Sequence, residues 1–276
     1  MVFTTDALVL RTVDTGEHDR LAILLTPENG QITVLAKGAR SQKSQYAALT
    51  QPFVYGNFEI YRKGEMNWLR GGSVTEYFPG VREDIVKLSL AVYLADVAQE
   101  VTGEYVAGVD ILRMTLNSLY ALARDKVTPR IVKAVYEWRT AGYAGYMPDM
   151  SHCRACHGEI TEGMYLDVMN GRLLCGECLR RMSAAATREA AHAAQKGAVQ
   201  SAYDDTAYNN NILVPMGLGA VAAAGYVLHA LPERVYSFRI KDAQDEDDFC
   251  RAGETYLLNH LECGFASLDF YKTITK

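Results

Sequence analysis

A chain of 276 residues, 49% hydrophobic and 22% charged, can bury a full core and exceeds the ~100–150 residues typical of one domain, so a multi-domain protein is expected. Its longest apolar stretch, residues 216–231, is interrupted by Gly217, Gly219 and Gly225 and falls short of the ~20 apolar residues of a membrane-spanning helix. The formal charge of −5 argues against nucleic acid as a partner only on average, because a net value hides how charge is distributed along the chain.

Residues 1–80 read as five strands, at 6–13, 20–26, 31–37, 53–62 and 66–78, each bounded by turn residues such as Asp14 to Glu17 and Glu28 to Gly30. Leu8 with Leu10, and Phe58 with Ile60, show the period-two pattern of a sheet whose faces differ. Five strands in about 80 residues suggest a small closed barrel, with an open sheet as the alternative. Phe53 and Trp68 are expected to fill it. Between residues 31 and 72 six basic residues (Lys37, Arg40, Lys43, Arg62, Lys63, Arg70) face two acidic ones (Glu59, Glu65). Cations interleaved with aromatic rings suit single-stranded nucleic acid, where charges meet phosphates and rings stack on bases. Arg40 and Lys43, in the polar loop after Gly38, are the candidate phosphate contacts, and Tyr46 the candidate stacking ring.

From Pro79 the pattern turns helical. Ile85, Leu88, Val92 and Ala95, widened by Leu90, Leu94, Val97 and Val101, predict a helix buried on more than one side. Further helices are expected at 109–124, at Pro129–Tyr143 with Thr128 as N-cap, and at 184–198, 217–231 and 247–262. Trp138 should anchor its helix in the core. The acidic run 242–248 reads as a solvated loop entering a helix N-terminus.

Cys153, Cys156, Cys175 and Cys178 form two CxxC pairs separated by 18 residues, which is metal-ligand spacing. The glycines Gly158 and Gly176 suit the tight turns such knuckles need. One zinc ion with four sulfurs leaves no open position for an activated water, so a structural role is expected. Disulfides and a thioredoxin-like motif are the weaker readings, since two equivalent pairs are present and residues 1–10 show no charged-then-apolar leader. His152 and His157 read as surface bystanders, and Cys250 and Cys263 as ordinary packing thiols. The reduced thiols place the chain in the cytoplasm. The zinc segment, 150–181, looks inserted between the helical segments 81–149 and 182–276, behind a barrel at 1–80. No phosphate-binding loop, nucleophile elbow or HExxH motif occurs, so the chain reads as a binder and not an enzyme.

The segments ALVLR at 7–11 and GEHDRL at 16–21, LAKGAR at 35–40 followed by Lys43 and QPF at 51–53, the paired cysteines, and YLLNHL at 256–261 with FASLDF at 265–270 together resemble the bacterial RecO family of recombination mediators. That resemblance implies an N-terminal OB-fold, a helical domain with an inserted zinc module, binding to single- and double-stranded DNA, strand annealing, and loading of the recombinase RecA onto DNA coated by single-strand binding protein. RecR, and by extension RecF, are the implied partners. Lys37, Arg40 and Lys43 become the implied DNA contacts, joined by Arg11, Arg20, Arg62 and Arg70. A basic helix with Arg130, Lys133 and Arg139 is the expected seat of the acidic tail of single-strand binding protein. Net acidity and Ala266, where the family pattern has lysine, depart from the resemblance. An interaction scaffold that does not touch DNA is the alternative function.

Overall fold

A computed structural model describes residues 1–104, 108–195 and 212–275, except the side chains of 186–195. It divides into two compact units, Met1–Tyr136 with Gly264–Lys276, and Glu137–Cys263.

The first unit begins with β1 (Val2–Thr15), β2 (Asp19–Thr26), β3 (Gly30–Ala36), a single-turn α1 (Tyr46–Leu49), β4 (Tyr55–Lys63) and β5 (Met66–Glu76). The five strands close into a barrel in the order β1-β2-β3-β5-β4, the small barrel expected from their patterning. β1 is longer than its alternation suggests because it serves two partners. Its first half pairs with β4 and its second with β2, and a bulge between Val9 and Arg11 turns one into the other. A parallel pairing of Leu35 with Trp68 completes the ring. Ala7, Val9, Ala22, Leu24, Ile32, Val34, Phe58, Ile60 and Leu69 fill the interior. β4 and β5 approach so closely that a Cβ on Gly56 would lie 2.2 Å from the Ser73 carbonyl oxygen, which requires glycine there.

Phe53 is buried but stands outside the cluster that fills the barrel, and Trp68 is not in the barrel core either. Asn67 and Leu69 are buried on either side of it, so the two-residue period of β5 turns Trp68 outward, half-exposed against the Tyr61 ring at 5.8 Å.

Helices α2 (Pro79–Arg82), α3 (Ile85–Val101) and α4 (Val109–Ala123), the first half of α5 (Pro129–Tyr143) and the last helix, Ala266–Ile274, complete this unit. The Asp84 carboxylate caps α3 by accepting from the Val86 and Lys87 amides. Thr128 caps α5 as expected, its hydroxyl accepting from the Ile131 amide. Tyr136 donates to the Leu94 carbonyl at 3.0 Å and meets the Thr115 hydroxyl at 2.9 Å, so its buried polar end is satisfied. The last helix packs on α3 through Ser267, which donates to Asp96, and Phe265, which meets Tyr93 edge-on.

The second unit takes the end of α5, then β6 (Asp149–Cys153), β7 (Met164–Asp167), β8 (Arg172–Cys175), α6 (Gly176–Gln195), β9 (Leu213–Met216), α7 (Leu218–His229), a 3₁₀ turn at Pro232–Arg234, and α8 (Ala243–Leu261). Its sheet runs β6-β8-β7-β9. Three boundaries differ from expectation. Helix α6 starts at Gly176, inside the second cysteine pair, and residues 196–198 of the expected helix lie outside the described ones. β9 comes from beyond the zinc segment, so the sheet holding the cysteines is completed by a later part of the chain. α8 begins four residues early because Asp242 is its N-cap, accepting from the Gln244 and Asp245 amides. Trp138 anchors this unit as expected: fully buried, it stacks on Tyr256 and Phe249 and donates to the Phe249 carbonyl. Cys250 is buried and Cys263 half-buried. Among the described residues no helix is long and apolar enough to cross a membrane.

Candidate metal centre and nucleic-acid interface

The two cysteine pairs sit at the ends of neighbouring strands. β6 delivers Cys153, and the turn after it brings Cys156 back, held by the His157 amide donating to the Cys153 carbonyl and the Cys153 amide donating to the Gly158 carbonyl. The left-handed position this knuckle needs falls on His157, at φ 57°, and not on Gly158. β8 delivers Cys175, and the first turn of α6 presents Cys178. The four sulfurs lie within 4.8 Å of one another, close to the ~3.8 Å separation of four thiolates around one tetrahedral ion. They can hold a metal ion, and no other cluster of three or more ligating side chains is found among the described residues.

Electrostatics show what a cation would change. Burial opposes ionisation of Cys153, yet amide donors from Cys175, Cys156 and Ala155 outweigh it and bring the thiol down to about 6. Cys178 is pushed up to about 12, first by its contact with the Cys175 sulfur, then by burial and the other sulfurs. Without a cation Cys153 is therefore the easier and Cys178 the harder of these two thiols to ionise. A dication favours ionisation of both and releases the held protons.

The first unit carries the basic surface. Lys37, Arg40, Lys43, Arg11 and Arg70 are exposed, and Arg20 and Arg62 half-buried. Two of them share one carboxylate. Arg20 Nε lies 3.0 Å from one Asp14 oxygen and Arg40 Nε 3.3 Å from the other, so this carboxylate at the β1–β2 turn holds both. Arg40 also donates to the Gly16 carbonyl, and its amide to His18. The loop after Gly38 is therefore tied to the hairpin, where a free polar segment was expected. Tyr46 opens α1, packs on the barrel core and donates to the Arg70 carbonyl at 3.0 Å, which makes it a support for the wall. Arg62 donates to the Gly64 carbonyl. Lys37, Lys43, Arg11 and Arg70 have no side-chain ion pair among the described residues. The aromatic feature of this surface is Tyr61 with Trp68. Period-two alternation around Leu69 was the available signal for it.

The profile described as "Recombination protein O N terminal" matches residues 1–78, the barrel, and "Recombination protein O C terminal" matches residues 82–201, including all four cysteines. The chain belongs to the RecO family. It is similar to the DNA repair protein RecO of Acetivibrio thermocellus, 28% identical over 272 residues that cover 99% of this chain and 97% of that one. The Myxococcus xanthus protein of the same name is 31% identical over 177 residues, 64% of this chain and 72% of its own. That of Bacillus subtilis (strain 168) is 29% identical over 181 residues, covering 66% and 70%.

Within this RecO chain the basic helix expected to meet a partner is largely turned inward. Arg130 is exposed. Lys133 is 6% exposed, its ammonium over the Tyr93 ring, and Arg139 is 8% exposed. The Arg139 guanidinium donates to the Val227 and Leu228 carbonyls at the end of α7 and to the Tyr143 hydroxyl, so it closes a helix C-terminus. The acidic run is likewise structural and not merely solvated. Besides the Asp242 cap, Asp245 accepts from the Gly219 amide and Asp248 from the Gly217 amide, both at the start of α7.

Proposed function

We propose that this chain is a non-enzymatic DNA-binding protein of recombinational repair. It binds single- and double-stranded DNA, anneals complementary strands, and acts with RecR and RecF to load RecA onto DNA coated by single-strand binding protein. Family membership supports the role, and one observation on the barrel supports the interface. Trp68 and Tyr61 stand outward together, and the parallel Leu35–Trp68 register places Arg70 at the next outward position of β5, with Lys37 just past the end of β3. Rings beside cations form a stacking platform for a single strand. Lys43 and Arg11 extend the surface, while Arg20, Arg40 and Arg62 shape it through their protein partners, with Tyr46 beneath. Arg130 remains the exposed cation for an acidic tail.

Zn²⁺ is the ion we assign to the four cysteines, because a set of four thiolates with no oxygen donor suits that metal. It would fasten β6 to β8 and the start of α6 and supply no catalysis.

The test is annealing of complementary strands precoated with single-strand binding protein, followed by fluorescence. Acceleration is expected, and replacing Lys37, Lys43 and Arg70 by glutamine should make the salt dependence of single-strand binding shallower by about 2, at ~0.7 per phosphate contact. Absence of any oligonucleotide binding by the unaltered chain would refute the reading and leave a protein-interaction scaffold.

A further inference from the structure

We propose that a polar cavity beside the cysteine cluster is a second phosphodiester-binding site, which takes one segment of a nucleic-acid backbone. The cavity, of about 510 Å³, is lined by Asp149, His152, Arg154, His157, Asn170 and Arg172 among others, all in the second unit. Its two arginines come from the turn after β6 and from the start of the neighbouring β8. β6 and β8 run parallel with Asp149 opposite Arg172, and the Arg154 amide donates to the Leu173 carbonyl, so both guanidiniums reach one space.

Their lack of a hydrogen bond or close ion pair distinguishes them. Arg20, Arg40, Arg139 and Arg251 each hold a carboxylate or carbonyl, whereas Arg154 and Arg172 are exposed with no side-chain hydrogen bond or ion pair among the described residues. Asp149 is the one carboxylate at the cavity; hydrogen bonds from Ser151 first, and the nearby Arg172 charge after them, lower its pKa, but it forms no ion pair with either arginine. Its Oδ1 is taken by the Ser151 amide at 2.9 Å and the Ser151 hydroxyl at 2.5 Å. That hydroxyl also meets His152 Nδ1 at 2.7 Å, and the His152 ring stacks on His157 at 5.2 Å, which fixes the rim. Small-molecule pockets are mostly apolar with a few polar groups. This one is mostly polar and charged. Two guanidinium forks match the oxygens of a phosphate, with Asn170 held to Asp167 as part of the wall, and an exposed site lets a strand pass through and continue.

The proposal rests on the DNA-binding reading above, and the test separates the two. The full metal-loaded chain is titrated with a labelled single-stranded oligonucleotide bearing a 5′-hydroxyl, so that internal phosphodiesters are its phosphates, over a range of salt. Arg154→Gln with Arg172→Gln should weaken binding several-fold and make the salt slope shallower by about 1.4, two contacts at ~0.7 each. Asp149→Asn should tighten binding, because it removes the opposing charge and keeps an acceptor for Ser151, whereas a purely structural role for Asp149 predicts no gain. Metal content is measured for every variant. Where the glutamine pair loses metal, Arg154→Lys with Arg172→Lys decides: lower affinity at a retained slope supports the site, and unchanged affinity overturns it. An unchanged affinity and slope in the metal-loaded glutamine pair, while the barrel variants lose both, would overturn this site and leave the barrel interface standing. Failure of the unaltered chain to bind would overturn both.

Discussion

Gly219→Ala is the substitution whose cost the structure allows to be worked out. Gly219 is the second residue of α7, and an alanine there would normally stabilise a helix by about 1 kcal/mol over glycine. A Cβ at this position would lie 2.4 Å from Asp245 Oδ2, the atom that accepts from the Gly219 amide at 3.1 Å. The carboxylate is the end of a flexible side chain and can move aside, so no backbone need shift. Moving it breaks a charge-assisted hydrogen bond, worth about 1.5–3 kcal/mol, and removes a negative charge from a helix N-terminus. The loss exceeds the propensity gain, and a net destabilisation of about 1–2 kcal/mol is expected. Urea unfolding followed by Trp138 fluorescence, in a Trp68→Phe background so that only the second unit reports, measures it. The same substitution in an Asp245→Ala background should turn stabilising, since only the propensity difference remains. A stabilising Gly219→Ala in the unaltered chain would refute the account of the acidic run as a cap on α7.

Cys175→Ser should abolish stoichiometric metal binding and lower the unfolding temperature of the second unit, with DNA binding by the barrel retained; full metal content in that variant would show that fewer than four sulfurs suffice. Zinc binding by the folded metal-free chain should release protons in a pH-dependent amount. Cys178, held up to about 12, gives up its proton throughout, whereas Cys153, at about 6, is already ionised near neutrality. Release per ion, read with an indicator in weak buffer, should therefore rise by roughly one between about pH 7.5 and about pH 5 as Cys153 regains its proton; a constant release would contradict the lowered value. Trp68→Ala should weaken single-strand binding by about 1–3 kcal/mol and duplex binding much less, because paired bases offer no free face. Equal losses for both would return Trp68 to a packing role.

The strands of the barrel and the cysteine cluster were legible because each rests on a short-range rule. Period-two alternation marks a strand without reference to its partners, and CxxC spacing brings two sulfurs together within one turn. What escaped depended on contacts between distant residues. Trp68 is a large apolar ring, and residue type alone predicts it in the core. Only the burial of Leu69 next to it settles which way it points, and alternation within 66–70 was the overlooked clue. β9 carries four residues and has no signal apart from its pairing with β7. Arg139 and Lys133 look like a basic helix face until α7 and Tyr93 occupy that face. The early start of α8 was readable in principle, since aspartate at 242 followed by a helical pattern is an N-cap signature.

The net charge of −5 stood against a DNA-binding reading, and the structure weakens that objection by showing where the acids are used. Asp14 holds two arginines, Asp84 caps α3, Asp242 caps α8, Asp245 and Asp248 cap α7, and Asp149 is held by Ser151. Each of these carboxylates accepts from amides, guanidiniums or a hydroxyl fixed in the fold. Their partial positive charges offset the field that a free carboxylate would send into solvent. Lys37, Lys43, Arg70, Arg154 and Arg172 have no side-chain ion pair among the described residues, although Arg172 acts on Asp149 through its charge. On the proposed surfaces a phosphate would meet cations that are in no ion pair at short range, while more distant acids are screened within about 8–10 Å at physiological salt. Local pairing, and not the sum over the chain, decides whether such a protein attracts a polyanion, and it is the salt slope that reads local pairing.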